Sequence, residues 1–388
     1  MDASPQRDTE PESLVLVCKP GYEETLAEEV RERMGGTPRV ETGRAMIVVR
    51  RRSTESDGRG PVRPFVFERQ RLEQAAFLCA PGLKPIAREI IGRLLPAVDS
   101  SDEPWTLHAF VADPEAGAPP ASRAANLSAL LLDTCRTKYT RLFRRYRPPE
   151  EPLAGGRGLI LNLCLAADGA WGSVMPAARL SDPMPGGAHR MPFDPRSPSR
   201  SYLKIEEALD LMGETPVRGQ RVIDLGAAPG GWSYAFLKRG CRVTAVDNGP
   251  LRIRDPEAGG GQLAHVREDG IGFRPPPEEI PVDWLVSDML VPPGTNIGML
   301  RPWFAGRWMR RFVVNIKLPQ QQPWAAITPL AAFLAAVPGC RHRLRQLYHD
   351  RREITLLGWL DAAGREADYD NRPRGVAARG QEDAHEPI

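Results

Sequence analysis

Residues 222–232 read Val-Ile-Asp-Leu-Gly-Ala-Ala-Pro-Gly-Gly-Trp, an apolar run that passes into a glycine–proline turn. The pattern predicts a buried strand over 221–225 and a helix over 232–239, joined by a glycine loop. Glycines let the backbone approach a ligand closely, and a helix start presents N–H groups without intrahelical partners. A second predicted strand ends at Asp247, 21 residues after Gly226, where a carboxylate accepts hydrogen bonds from ribose hydroxyls. Together these features predict a doubly wound α/β sheet that binds a ribose-containing ligand.

The glycine spacing distinguishes two classes of cofactor. A nicotinamide dinucleotide requires G-x-G-x-x-G, which wraps a pyrophosphate on a helix N-terminus, whereas the glycines here are residues 226, 230 and 231. The loop is similar to the first motif of S-adenosyl-L-methionine-dependent methyltransferases, whose ligand has no pyrophosphate. A tight strand–helix connection is the alternative for the glycines, and a plain turn residue is the alternative for Asp269. The resemblance implies that the cofactor is bound by Gly226, Ala228, Pro229, Gly230, Gly231 and Asp247, with Asp269 at the adenine.

Composition divides the chain into five predicted segments. Five prolines and two glycines between residues 182 and 198 are too many for a regular element and indicate a linker. Strands and helices alternate before the linker in a smaller α+β or α/β unit, and after it they continue the sheet of the glycine loop. The segments are a disordered leader at 1–12, an N-terminal region at 13–180, the linker at 181–198, the sheet domain at 199–362 and a disordered polar tail at 363–388.

Short apolar runs between turn residues predict the individual elements. In the N-terminal region the predicted strands are 14–18, 45–49, 65–67, 107–111 and 159–165, and the predicted helices are 23–33 and 130–146. In the sheet domain a helix follows the serines at 199 and 201, which are suited to capping it. The other predicted elements there are strands 242–246, 284–287, 312–316 and 354–357 and a helix over 325–336.

Four charged residues are associated with the predicted sheet. Asp288 follows the strand at 284–287, and Lys317 follows the strand at 312–316. In an open α/β sheet the ligand crevice lies at the carboxyl ends of the strands, so both side chains are expected to face it. Lys204 lies in the helix that enters the domain, and Glu353 begins the last strand. An ordinary surface charge is the alternative for each of them.

The order Lys204, Asp288, Lys317, Glu353 around such a loop resembles the Lys-Asp-Lys-Glu tetrad of FtsJ-like RNA ribose 2′-O-methyltransferases. Longer blocks resemble one branch of them, the bacterial large-subunit ribosomal RNA 2′-O-methyltransferase M family, which modifies a cytidine of 23S rRNA. Ala228 departs from the pattern, since a cysteine is common there. The blocks are 199–208, 224–232, 246–250, 267–270, 315–319 and 346–350, with 16–22 and 67–70 similar to the N-terminal THUMP-containing part of the family.

The resemblance implies a Rossmann-like class I S-adenosylmethionine-dependent methyltransferase domain, preceded by a smaller α+β, THUMP-type RNA-binding region. A ribose 2′-hydroxyl must lose its proton as it attacks the methyl group in line, and a neutral lysine can accept that proton. A second ammonium nearby favours the neutral form by repulsion, whereas carboxylates orient the amines. We assign Lys317 as the proton acceptor, Lys204 as its cationic partner and Asp288 as the bridge to the methyl region. Glu353 orients Lys204, and Ser201 reaches the methionine end of the cofactor.

The remaining composition limits partners and compartment. The formal net charge is +3, which permits an anionic partner, and residues 136–147 hold six basic and three aromatic side chains that are suited to RNA phosphates. A solvated basic helix packed on a core is the alternative for that segment. No run of 18 apolar residues exists, and the six cysteines and six histidines show no metal-ligand spacing.

From this we expect a cytoplasmic monomer without a membrane segment or a metal. Its substrate is expected to be 23S rRNA or a large-subunit assembly intermediate. The alternatives are a methyltransferase that acts on another RNA, on a protein or on a small molecule, a non-catalytic RNA-binding assembly factor, and a nicotinamide-dependent dehydrogenase.

Overall fold

The computed structural model describes residues 13–35, 38–50, 63–113, 121–151, 153 and 156–361. The predicted leader at 1–12 and the predicted tail at 363–388 lie outside the described residues. The described chain forms two compact units. The first comprises the residues up to Leu153 together with Arg157–Ala188, and the second comprises Gly156 and the residues from His189 onward. The proline-rich segment at 181–198 therefore contributes to both units.

The first unit is a seven-stranded mixed sheet with helices. The strands follow the order β2-β3-β1-β4-β7-β6-β5, and all of the pairs are antiparallel except β5 with β6. Its elements are β1 (Ser13–Cys18), α1 (Glu23–Met34), β2 (Arg39–Gly43), β3 (Met46–Arg50), β4 (Glu68–Cys79), α2 (Leu83–Arg93), α3 (Leu95–Asp99), β5 (Trp105–Val111), α4 (Ala121–Lys138), α5 (Thr140–Arg144), β6 (Leu159–Leu165) and β7 (Gly169–Pro176).

Two predictions for this unit were wrong. Residues 65–67 form a bend before β4 rather than a strand, because their N–H groups are bound by carboxylates: Glu29 accepts from Val66 and Phe67, and Glu68 accepts from Phe65. The helix predicted at 130–146 begins earlier and is interrupted at Tyr139, which separates α4 from α5. At residues 65–67, the buried carboxylates thus bind N–H groups that a strand would use for sheet pairing, which the apolar pattern alone does not reveal.

The second unit carries the predicted glycine loop. Its helices are α6 (Tyr202–Met212), α7 (Gly231–Leu237), α8 (Pro293–Ala305) and α9 (Pro323–Ala335). Ser201 precedes α6, but its side chain makes no capping hydrogen bond, contrary to the role expected for these serines. The strands are β8 (Arg221–Leu225), β9 (Arg242–Val246), β10 (Gln262–Val266), β11 (Val282–Ser287), β12 (Met309–Lys317), β13 (Cys340–Arg345) and β14 (Glu353–Leu360).

The strand order of this sheet is β10-β9-β8-β11-β12-β14-β13. The pairs from β10 to β12 are parallel, and β14 is antiparallel to both of its neighbours. The order reverses between β8 and β11, and at such a switch point the carboxyl ends of the strands border the ligand crevice. The unit is therefore the Rossmann-like domain that the resemblance to class I methyltransferases implied.

The core of this unit packs α6 and α7 against the sheet. Trp284 of β11 and Phe236 of α7 are fully buried, and their ring centroids lie 5.6 Å apart. Ile205 and Leu209 place the apolar side of α6 in the same cluster. This packing fixes the helix that carries Lys204 over the carboxyl edge of the sheet. Among the described residues, no helix combines the length and apolar character that a membrane crossing requires.

Candidate active site

The loop after β8 can be formed only by glycine at two positions. Gly226 has φ 73° and Gly230 has φ 111°, in the left-handed region that disfavours other residues. A Cβ atom on Gly226 would lie 2.3 Å from Met289 Cγ, and one on Gly231 would lie 2.3 Å from Ser199 Oγ. The backbone of the loop is therefore closely surrounded at Gly226 and Gly231, where a side chain would not fit.

Asp247 lies beside the loop, at the carboxyl end of β9. Its Oδ2 accepts a hydrogen bond from Ala228 N–H at 2.9 Å, and its Oδ1 accepts one from Gly249 N–H at 2.6 Å. Each carboxylate oxygen has a second lone pair, so the half-buried group can accept further hydrogen bonds from a ribose diol. The peptide bond that follows Ala228 is cis, and Pro229 carbonyl accepts from Arg252 N–H at 2.8 Å.

Asp224, within the glycine motif, is buried beneath the loop. Burial raises its pKa to about 7, although the hydroxyl of Ser233 donates a hydrogen bond to its Oδ2 at 2.6 Å and opposes that rise. The negative charges of Asp288 and Asp247 raise it further. Asp224 thus supports the loop from within and titrates near neutral pH.

The other two predicted cofactor residues lie at the sides of the loop. Ser201 Oγ is 2.7 Å from Ser199 Oγ, and both hydroxyls face the position where a Cβ on Gly231 would stand. Asp269 is exposed after β10 and accepts a hydrogen bond from Ile271 N–H at 3.0 Å, which is a turn interaction. A Cβ on the next residue, Gly270, would lie 3.3 Å from Gly226 N, so this turn adjoins the loop.

The donor and acceptor set fits S-adenosylmethionine. A carboxylate ends β9 where a ribose diol would lie, the loop backbone carries no Cβ at the close positions, and serine hydroxyls lie beside the start of α7. The glycine spacing that a pyrophosphate needs is absent from the loop sequence. A cofactor with a ribose and a zwitterionic tail matches these groups better than a dinucleotide does.

The structure brings Lys204, Asp288, Lys317 and Glu353 together at the carboxyl edge of the sheet. Lys204 Nζ lies 2.5 Å from Glu353 Oε1 and 3.4 Å from Asp288 Oδ1. Lys317 Nζ lies 3.4 Å from Glu353 Oε2 and 3.5 Å from Asp288 Oδ1. Each amine contacts both carboxylates and each carboxylate contacts both amines, so the four form a closed ring of alternating charge, here called the charge ring.

Different elements supply each member of the charge ring. Asp288 directly follows β11, and Lys317 is the last residue of β12. Glu353 is the first residue of β14, and because β14 is antiparallel its start is paired with Lys317 at the carboxyl edge. Lys204 enters from the first turn of α6. The antiparallel strand is what places a carboxylate at the edge where parallel strands end.

The charge ring sets the protonation of its most buried members. Burial disfavours the ammonium of Lys204, but Asp288 and Glu353 outweigh it and raise the pKa of Lys204 above its ordinary value. Burial also acts against the Glu353 carboxylate, yet the hydrogen bond from Lys204 and the charges of both lysines lower the pKa of Glu353. Lys204 is therefore held as an ammonium and Glu353 as a carboxylate at neutral pH.

The amines differ in access to solvent. The side chain of Lys204 is 9% exposed, whereas that of Lys317 is 24% exposed. Asp288 and Glu353 are 17% and 5% exposed. The more open side of the charge ring is therefore the side of Lys317 and Asp288.

Buried polar residues that sequence reasoning did not select support the charge ring. Asp350 is fully buried and accepts hydrogen bonds from Leu347 N–H at 2.9 Å and from the Thr355 hydroxyl at 3.1 Å. Glu207 of α6 accepts from the N–H groups of Tyr348 and His349, at 2.7 and 3.0 Å. These bonds fix the chain that leads into Glu353. In the sequence, the only signal for Asp350 is its place in the block at 346–350, and the only signal for Glu207 is its place in the block at 199–208.

A cavity of about 490 Å³ in the same unit lies on the other side of α6. Tyr202, Leu203, Glu206 and Leu209 line it, and the helical period turns these residues away from the side of Lys204. Its charged groups are already paired, since Glu206 lies 3.0 Å from Lys238 Nζ. The cavity is separate from the crevice of the glycine loop and the charge ring.

The basic segment at 136–147 belongs to the first unit. Leu142 is buried, and its carbonyl accepts a hydrogen bond from Trp105 Nε1 at 2.9 Å, so one side of the segment packs on the core. On its exposed side, Arg136 and Arg141 form surface ion pairs with aspartates at 2.7 and 2.9 Å. Lys138 is exposed. The arrangement agrees with core packing on one side and leaves a basic surface on the other.

Comparison with known proteins gives consistent matches. A family model described as FtsJ-like methyltransferase matches residues 197–312. Ribosomal RNA large subunit methyltransferase M of Xanthomonas axonopodis pv. citri is 32% identical over 364 residues, which cover 90% of this chain and 99% of that protein. The protein of the same name from Alkalilimnicola ehrlichii is 38% identical over 242 residues, covering 58% of this chain and 65% of that protein.

Among solved structures, TrmN from Thermus thermophilus matches 90% of this chain and 99% of its own, at 15% identity and a TM-score of 0.32. That score is too low to support an inference. The match to the Xanthomonas protein extends through both units of the chain. The family model includes Lys204 and Asp288 of the charge ring, whereas Lys317 and Glu353 follow its last matched residue.

Proposed function

Because the chain belongs to the ribosomal RNA large subunit methyltransferase M family, we propose that it methylates the ribose 2′-hydroxyl of a cytidine in 23S rRNA. It is a methyltransferase, and its cofactor is S-adenosyl-L-methionine. The observation that carries the finer proposal is the charge ring beside the glycine loop, with two amines and two carboxylates in mutual contact.

Ribose methylation needs a base and precise alignment more than it needs other chemistry. S-adenosylmethionine supplies an electrophilic methyl group, and the attacking oxygen must lie in line with it while losing its proton. In this proposal the 2′-hydroxyl donates its proton to Lys317 Nζ. Lys204, which stays an ammonium, stabilises the negative charge that develops on the oxygen. Asp288 holds both amines at the side of the ring nearest the cofactor loop.

The choice of Lys317 over Lys204 as proton acceptor follows from their surroundings. Lys204 contacts Glu353 at 2.5 Å, and its carboxylate neighbours raise its pKa, so it is the worse base. Lys317 is more exposed and can return the accepted proton to water. Glu353 acts on Lys204, which it orients and keeps charged.

The cofactor-binding roles are likewise part of the proposal. Gly226, Ala228, Pro229, Gly230 and Gly231 supply the loop backbone against which the cofactor lies. The positions of three side chains beside the loop support three further roles: Asp247 for the ribose hydroxyls, Ser201 for the methionine end and Asp269 for the adenine.

We propose that the N-terminal region at 13–180 is a THUMP-type RNA-binding region, followed by the linker at 181–198 and the methyltransferase domain at 199–362. The exposed basic side of the segment at 136–147 supports this assignment. Replacement of Lys138 by glutamate should weaken RNA binding uniformly across sequences and reduce its salt dependence, with no change in cofactor affinity. The enzyme acts as a monomer in the cytoplasm, where its RNA substrate is located.

The test is methyl transfer to RNA by the full chain. Unmodified 23S rRNA, a large-subunit assembly intermediate and total protein are each incubated with the enzyme and S-adenosylmethionine labelled in the methyl group. Label should enter the RNA at one cytidine, and the phosphodiester 3′ to it should resist alkaline cleavage because that cleavage needs a free 2′-hydroxyl. Label on a base or on protein would contradict the proposal, and RNA binding without transfer would favour a non-catalytic assembly factor.

A further inference from the structure

Leu290 is the most exposed of the large apolar side chains that the structure describes. It is 83% exposed, compared with 57% for Val217, and Tyr139 and Phe193 follow at 37% each. Single exposed leucines are common on protein surfaces, so exposure alone indicates nothing. Its place in the chain makes it different, because it comes two residues after Asp288, a member of the charge ring.

The segment around Leu290 is anchored on both sides. Residues 288–292 form neither helix nor turn, and α8 begins at Pro293. Met289 is 8% exposed and packs against the glycine loop, where its Cγ would lie 2.3 Å from a Cβ on Gly226. After Leu290, Asn296 Nδ2 donates a hydrogen bond to Val291 carbonyl at 3.5 Å. Leu290 is therefore presented by an ordered segment.

Leu290 and the residue before it have different surroundings. The side chain of Met289 packs against the glycine loop, whereas that of Leu290 reaches solvent. Asp288, two residues before Leu290, belongs to the more open side of the charge ring and is 17% exposed. Two residues span at most about 7 Å, so a nucleotide whose 2′-hydroxyl lies at the charge ring is within reach of Leu290.

We propose that Leu290 packs against the base of the nucleotide that is methylated, in the position that the neighbouring base of an RNA stack would otherwise occupy. This inference rests on the proposed function, since it requires an RNA nucleotide at the charge ring. Apolar side chains inserted between bases replace stacking partners in other nucleic-acid complexes, and RNA recognition commonly targets unstacked bases. Leu290 would thus hold the target nucleotide turned out while its 2′-hydroxyl lies at Lys317.

The first test compares three variants of the full chain on 23S rRNA. Leu290→Ala should raise the KM for RNA about 10-fold or more, because the apolar area covered by the base is lost, with a smaller change in kcat. Leu290→Met should restore most of the affinity. Val217→Ala is the matched control, because Val217 is also an exposed apolar residue but lies before β8, at the opposite edge of the sheet.

The second test asks what Leu290 touches. Once the methylated nucleotide is mapped, an RNA fragment is prepared with the target base removed and its ribose retained. If Leu290 packs on that base, removal of the base and Leu290→Ala are not additive, so the variant loses no further affinity on the abasic RNA. A fluorescent cytidine analogue at the target position should brighten on binding to wild type and to Val217→Ala, and should brighten less with Leu290→Ala.

Additive effects on the abasic RNA, or equal analogue fluorescence with wild type and Leu290→Ala, would overturn the inference. An unchanged KM in Leu290→Ala would do the same. These results leave the proposed function intact as long as wild type methylates the 2′-hydroxyl. If wild type transfers no methyl group to RNA, it is the proposed function that fails. Cofactor affinity and the melting temperature of each variant are measured alongside, and both should match wild type because Leu290 is exposed.

Discussion

Replacing Lys317 by arginine separates the charge of this residue from its capacity to act as a base. Lys317 Nζ lies 3.5 Å from Asp288 Oδ1 and 3.4 Å from Glu353 Oε2, and a guanidinium at the same place can keep both ion pairs. Arginine does not lose its proton in proteins, so it cannot accept the proton of the 2′-hydroxyl. The perturbation removes one function while preserving the electrostatics of the charge ring.

The expected magnitude follows from the role. General-base catalysis contributes about 10²- to 10⁴-fold to a reaction rate, so kcat of Lys317→Arg should fall by that factor, or about 3–5 kcal/mol in the barrier. Cofactor affinity should stay at the wild-type value, because the residues proposed to bind the cofactor, among them Gly226, Gly231 and Asp247, are unchanged. The KM for RNA should change little, since the positive charge is retained.

Lys238→Arg is the matched control. The side chain of Lys238 is 26% exposed, close to the 24% of Lys317, and its Nζ lies 3.0 Å from Glu206 Oε1. It lines the cavity on the other side of α6, away from the charge ring. Activity of this variant should stay within about twofold of wild type, as for other substitutions outside a site.

The assay is single-turnover methyl transfer between about pH 6 and pH 9. The rate of wild type should rise with pH, because the base must be neutral to accept a proton, and the residual rate of Lys317→Arg should not. The raised pKa of Lys204 keeps that residue charged over the same range. Turnover by Lys317→Arg within tenfold of wild type, with the same rise with pH, would refute the proton-acceptor role.

Three further predictions concern the carboxylates and the loop. Glu353→Gln should lower kcat and lower the free energy of unfolding at neutral pH by about 1–3 kcal/mol. Because the two lysines lower the pKa of Glu353, this difference should shrink as the pH falls below the ordinary pKa of a glutamate and vanish below the lowered pKa, as urea titrations will show. Asp224→Asn should reduce the dependence of the free energy of unfolding on pH. Burial raises the pKa of Asp224 to about 7, so wild type loses stability as the pH rises from the ordinary pKa of an aspartate through about 7. Equal slopes of the free energy of unfolding against pH for the two proteins would contradict this. Gly226→Ala should weaken cofactor binding and lower the melting temperature more than Gly219→Ala. Both glycines have positive φ, but a Cβ on Gly226 would lie 2.3 Å from Met289 Cγ, whereas one on Gly219 would have no atom within 4 Å. Equal losses of melting temperature in calorimetry would assign the effect to backbone strain alone.

The sheet of the second unit was largely predictable because its strands are apolar runs bounded by turn residues. β8 and β9 have the predicted bounds, and β11, β12 and β14 extend theirs by a few residues. β13 has the sequence Cys-Arg-His-Arg-Leu-Arg and was not predicted, because a strand with so many charged residues is not an apolar run. Charged residues are tolerated there because β13 lies at the edge of the sheet, where solvent reaches its side chains. β4 was missed for a related reason: it begins with a buried ion pair between Glu68 and Arg71 at 2.6 Å.

The members of the charge ring could be selected from sequence, but their contacts could not. That Asp288 and Lys317 end neighbouring strands follows from the order of apolar runs. The pairing of Glu353 with Lys317 depends on the antiparallel direction of β14, which an apolar run does not encode. Asp350 was not predicted as part of the site. Its carboxyl binds the Leu347 N–H group and the Thr355 hydroxyl, and these contacts form only when the chain that leads to Glu353 has folded.

If the proposed mechanism is correct, the antiparallel insertion of β14 also makes activity depend on synthesis of the last strand. Glu353 follows Lys204 by 149 residues, and β14 is added between β12 and β13, which precede it in the chain. A nascent polypeptide that has not yet released this strand from the ribosome holds two ammonium groups against one carboxylate, an arrangement that like-charge repulsion opposes. In the proposed mechanism such an unfinished chain lacks the carboxylate that orients Lys204, so we expect methyl transfer only after the residues that form β14 have left the ribosome.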